Sequence, residues 1–169
     1  MREVYKNLFV CSQYDFNTTE FDDTYSYVLA SKSFHKCIAM PDGCEDEGYI
    51  GNLDSKNKEY LLASRPDRNL IALNLIDAKD AGYIPDKLIR VALSFVNNEL
   101  KKGQKVVIVC NKAISRSPSL AIMYLKKYTN FFEGCDEPSE CFARFVEVYP
   151  EYCPNDGMLD FTENFLIFG

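Results

Sequence analysis

Nowhere in the 169 residues do eighteen apolar residues run together, so the sequence offers no candidate for a membrane-spanning helix. The opening stretch, MREVYKNLFVCSQYDF, lacks the apolar core and small-residue cleavage site of a secretory signal, so a soluble, cytoplasmic chain is expected. A basic excess is also missing. With a net charge of −6, the surface as a whole is unsuited to nucleic acid or an anionic membrane, and neither is expected as a partner. The seven cysteines (11, 37, 44, 110, 135, 141 and 153) include no CxxC pair and no Cys/His spacing suited to zinc. Reduced thiols, no metal and no cofactor are therefore expected. The one histidine, His35, lies in a short apolar stretch and reads as structural. Internal repeats and low-complexity tracts are absent, and Gly and Pro are scattered, so the chain reads as one domain over 1–169.

What is present is an apolar content of 47%, enough to bury a substantial core. Residues 7–12 (NLFVCS) and 35–40 (HKCIAM) read as short strands, and 41–51, with two internal glycines and four acidic residues, as a loop. Residues 69–76 (NLIALNLI) form an apolar run too short for a typical helix, which suits a strand buried on both faces and ended by Asp77. From Pro85, the residues Leu88, Ala92, Phe95, Val96 and Leu100 recur at helical spacing up to Gly103. Val106 to Val109 read as a second buried strand, and a helix starting at Ser117 or Pro118 runs to Tyr128. This order implies an α/β fold, a mainly parallel twisted sheet flanked by helices with right-handed crossovers. Two further helices, 137–149 and 157–168, form a C-terminal helical extension over 130–169 packed on the core.

The stretch VVIV-CNKAISR-SPSLAIMYL, residues 106–125, carries the chemistry. A strand running into a helix N-terminus makes a concave loop whose N–H groups converge, and these with the helix dipole favour an anion of phosphate size. The amides of Asn111, Lys112, Ala113, Ile114, Ser115 and Arg116 would hold phosphate, sulfate or vanadate. Cys110 sits where the same field favours its thiolate, a nucleophile at neutral pH. Six residues on, the planar guanidinium of Arg116 can grip two phosphate oxygens. Ser117 can hydrogen-bond the Cys110 sulfur and ease its departure from a phosphoenzyme. A leaving group also needs a proton. Asp77 and Asp80, 33 and 30 residues before Cys110 in a loop after the preceding strand, are the candidate acids, with Asp77 favoured for its place at the strand end.

Over 69–128, and more loosely from about residue 5, the sequence resembles the dual-specificity branch of the protein tyrosine phosphatase superfamily. That family's pattern, His-Cys, two variable residues, Gly, two variable residues, Arg and then Ser or Thr, is matched at Cys110, Arg116 and Ser117. The resemblance implies a phosphocysteine at Cys110, phosphate binding by Arg116 and the loop amides, and a general acid at Asp77 or Asp80. Two positions depart from it: Val109 replaces the His, and Ala113 the Gly. If the Gly position needs positive φ, Ala113 carries strain of about 1–3 kcal/mol.

The sequence therefore points first to a phosphomonoesterase acting on a phosphorylated protein or a small phosphate ester. A catalytically weak relative that binds phosphorylated partners through the same loop is the alternative, motivated by Val109 and Ala113. A sulfurtransferase or thiol reductase ranks third, for want of a role for the upstream acid or a nearby resolving cysteine. Tyr83, Tyr124 and Tyr128 are expected to fill core, the acidic stretch 42–47 to be an exposed face, and Asp77 and Asp80 could equally cap a turn.

Overall fold

A computed structural model describes residues 1–20, 22–39, 62–65 and 69–169. Its sheet has six strands: β1 (Arg2–Tyr5), β2 (Leu8–Ser12), β3 (Tyr25–Ala30), β4 (Leu62–Arg65), β5 (Leu70–Leu73) and β6 (Lys105–Cys110). They lie in the order β1-β2-β6-β3-β5-β4. The four central strands are mutually parallel, and β1 and β4 pair antiparallel at the two edges. This is the mainly parallel α/β sheet anticipated from the sequence.

The helices are α1 (Gln13–Thr18), α2 (Lys32–Ala39), α3 (Asp86–Lys101), α4 (Arg116–Tyr128), α5 (Pro138–Val148) and α6 (Asp156–Phe168), with a 3₁₀ turn at Ala81–Tyr83. Helix α3 begins one residue after Pro85 and is followed by Gly103 at φ +85°, a left-handed position that glycine occupies without strain. Its apolar positions, Leu88, Ile89, Ala92, Leu93 and Val96, are all buried, each large one contributing about 1.5–3 kcal/mol by leaving water. The last position on that face is Glu99, buried yet paired: Ser26 Oγ donates to it at 3.0 Å and Lys102 Nζ at 2.6 Å. The core on this side of the sheet runs from Leu8 and Val28 through α3 and α4 to Phe145, Met158 and Phe165, so α5 and α6 are packed into it. A smaller cluster, Cys11, Leu29, Leu70, Ala72, Val107 and Val109, covers the other face.

Three expectations need correction. Of the strand expected over 35–40, residues 35–39 are instead the second half of α2, where His35 N–H donates to the carbonyl of Ser31 in a helical bond of 3.0 Å, and residue 40 lies outside the described residues. The strand of that region lies earlier, at Tyr25–Ala30, and a chain leaving the end of a parallel strand must cross over, which α2 begins. The strand expected over 69–76 stops pairing at Leu73, so Asp77 stands four residues beyond its end. The helix expected from Ser117 or Pro118 starts at Arg116, with Pro118 at its third position. The loop expected over 41–51 lies outside the described residues. Among the described residues, no helix is long and apolar enough to cross a membrane, and Cys11, Cys110, Cys135, Cys141 and Cys153 are free thiols.

Candidate active site

Parallel pairing aligns the carboxyl ends of β2, β6, β3 and β5, and the loops that follow them share one edge of the sheet. Cys110 is the last residue of β6, and residues 111–115 form a tight turn into α4. Cys110 is buried, with 2% of its surface exposed, and Ser117 Oγ donates to its sulfur at 3.1 Å. This is the contact expected from the sequence.

Arg116 folds back under the turn. Its Nη2 donates to Asn111 Oδ1 at 2.7 Å, and its Nη1 donates to the carbonyl of Leu75 at 3.0 Å, tying the loop to the chain segment after β5. Its Nε is buried with no acceptor, and among the described residues it is the only such side-chain atom. Nor is any turn or loop hydrogen bond there donated by a backbone N–H of residues 111–116. An anion would suit such a set: a buried cationic donor and a run of backbone N–H groups without a protein acceptor, in a place where an unmet donor costs about 1–3 kcal/mol.

Ser115 is the N-terminal cap of α4, yet its hydroxyl makes no capping bond; it donates to Asp77 Oδ1 at 2.7 Å. Asp77 is thus brought to the loop. The Asp80 carboxylate accepts instead from the N–H of Gly82 at 2.7 Å and caps the 3₁₀ turn, the plainer use of an Asp after a strand. Lys112 and Asn111 are exposed on the loop, Ile114 is half-buried, and Ala113 is buried at φ +59°. The position that differs from the resembled pattern therefore does need a left-handed backbone. Val109 faces the smaller core cluster, away from the loop. Tyr124 is buried against Tyr128, with ring centroids 5.5 Å apart, and Tyr83 is exposed.

Four contributors were not visible in the sequence. From the connection between α5 and α6, Cys153 N–H donates to the carbonyl of Ile114 at 2.7 Å, and Asn155 N–H donates to Ser115 Oγ at 3.3 Å. Asn155 Nδ2 donates to the carbonyl of Asp77 at 3.3 Å, so one residue touches both loops. Any side chain at Gly157 would put its Cβ 2.6 Å from the Ala78 carbonyl oxygen and the Asp80 nitrogen, which fixes how closely α6 approaches the acid loop. From the other side, Asn111 is held by Gln13, which donates its backbone N–H at 3.3 Å and accepts from Asn111 Nδ2 at 3.1 Å. The tail residues expected only to fill core also brace the site. No local pattern marks them, because their partners are between 39 and 79 residues away.

No protein-family model matches the chain. One curated relative, described as a putative tyrosine-protein phosphatase, comes from Acanthamoeba polyphaga mimivirus. It is 27% identical over 108 residues, which cover 64% of this chain and 50% of that protein, so the match spans half the length of the relative. Among solved structures, a leucine-rich-repeat and phosphatase-domain protein from Entamoeba histolytica superposes with a TM-score of 0.61 at 12% identity, covering 98% of this chain and 89% of that one. A human tyrosine phosphatase-like serine/threonine/tyrosine-interacting protein gives a TM-score of 0.58 at 15% identity, with 98% and 94% covered. The chain has the fold of the dual-specificity and tyrosine phosphatases.

Proposed function

We propose that this protein hydrolyses phosphate monoesters through a phosphocysteine at Cys110. The observation that carries the reading is the buried, acceptor-free Nε of Arg116 beside the unengaged amides of residues 111–116. Phosphate binds there with one face toward the Cys110 sulfur. The thiolate attacks phosphorus, the P–O bond to the leaving group breaks, and Asp77 gives that oxygen its proton. Water then attacks the phosphocysteine, Asp77 takes its proton, and phosphate leaves as the P–S bond breaks. Ser117, already donating to the sulfur, stabilises the departing thiolate. Arg116 and the loop amides hold the equatorial oxygens throughout. The substrate is a phosphorylated protein or a small phosphate ester.

A second reading, a phosphate-binding protein with weak turnover, draws support from Ala113 at φ +59°, where strain in the loop lowers the fraction of chains with all amides convergent. Hydrolysis of an aryl phosphate, measured with orthovanadate binding, separates the two. The enzyme turns over substrate in a manner abolished by Cys110→Ser, whereas the binder takes up orthovanadate without turnover. A chain that does neither has no functional phosphate loop.

A further inference from the structure

The phosphate loop holds an alanine in the left-handed region, and the structure contains a tether aimed at that residue. Tyr149, the residue that ends α5, donates its hydroxyl to the carbonyl of Ala113 at 2.8 Å. Both residues are buried, at 5% and 7% exposure. The phenol ring cannot easily swing away. It packs on Phe145 with centroids 5.9 Å apart, and the Arg2 guanidinium lies 5.5 Å from its centroid, held in turn by Glu151 at 2.7 Å. Burial pushes the phenol well above its ordinary pKa, so it stays protonated and able to donate throughout the neutral range.

The geometry matters because Ala113 is the point at which the loop could relax. An alanine at φ near +60° gains by returning to negative φ, and that rotation would turn the peptide groups beside it out of the convergent set. Its carbonyl direction is the quantity that changes. A donor fixed in the core and pointed at that carbonyl therefore selects the left-handed state.

We propose that Tyr149 is a positioning residue for the phosphate loop: its hydroxyl holds Ala113 in the left-handed conformation that a glycine would adopt unaided. The inference rests on the reading of residues 110–116 as a phosphate loop. It places a determinant of anion affinity in the C-terminal part of the chain, 36 residues beyond the residue it controls.

The test is a double-mutant cycle of Tyr149→Phe and Ala113→Gly, reading orthovanadate affinity, kcat and KM for an aryl phosphate, and melting temperature. Tyr149→Phe removes one hydrogen bond and should weaken orthovanadate binding about tenfold. In the Ala113→Gly background the same change should cost no more than about twofold, because glycine needs no tether. A purely structural tyrosine would lower the melting temperature equally in both backgrounds and leave affinity alone, which overturns the inference. So does an equal loss of affinity in both. A folding defect in Tyr149→Phe that the added Ala113→Gly relieves supports the coupling, and one that persists overturns it. If the wild-type protein binds no orthovanadate, the phosphate-loop reading falls first and the inference with it. If it binds and hydrolyses normally and Tyr149→Phe changes nothing, only the inference falls.

Discussion

Ser115 donates its hydroxyl to Asp77 at 2.7 Å, joining the phosphate loop to the loop that follows β5 across 38 residues of sequence. The bond distinguishes the two candidate acids. Asp77 is oriented by the residue preceding Arg116, whereas the Asp80 carboxylate is turned toward Gly82.

Replacing Asp77 by Asn should therefore lower kcat about hundredfold for alkyl phosphates, whose leaving groups need a proton, and much less for aryl phosphates with acidic phenols. Asp80→Asn should retain turnover to within about threefold, since it disturbs only a turn cap. A leaving-group series on both variants checks this, and the reverse pattern would move the role to Asp80.

Asn155 and Gly157 brace the acid loop from α6. Asn155→Ala removes the contact from its side-chain amide to the Asp77 carbonyl and should reduce kcat about three- to tenfold with little change in KM. Gly157→Ala forces a Cβ into the backbone of residues 78–80 and should cost both kcat and melting temperature. Steady-state kinetics with thermal melts separate the outcomes; normal activity in both variants would remove this connection from the site.

The buried Cys11 and the half-buried Tyr152, both protonated at neutral pH, predict an alkaline limit. Burial pushes the Cys11 thiol up to about 11 from 9.0, and the Tyr152 phenol, beside Ser119, up to about 12 from 10.0. Each holds its proton more tightly in the folded chain, so its stabilising contribution is intact below about pH 9 and is lost as the pH rises through 11 and 12. Urea unfolding should give a free energy that falls steadily above pH 9, and more gently in Cys11→Ala than in wild type. A flat profile to pH 11 would contradict this.

The sequence disclosed the parts of the fold whose signals are local. Helix α3 carries its full amphipathic face between Pro85 and Gly103, and β6 is a run of buried valines and isoleucine, so both read clearly. The region 25–40 did not. Tyr-Ser-Tyr-Val-Leu-Ala puts a serine at a buried position, where Ser26 donates to Glu99, a residue 73 positions away. Phe34 to Ala39 is too short an apolar stretch for periodicity to decide between strand and helix. In the site, the spacing of Cys110, Arg116 and Ser117 was legible because one turn brings all three together. Tyr149, Asn155 and Gln13 were not, because tertiary packing alone brings them to the loop.

The central claim is that the Cys110 sulfur accepts a phosphoryl group. Acid quenching during turnover of a phosphate ester labelled with radioactive phosphorus, followed by digestion, tests it directly. The label should be found on the peptide containing Cys110 and be missing from Cys110→Ser. Turnover with no labelled protein, or label that persists in Cys110→Ser, would contradict the account.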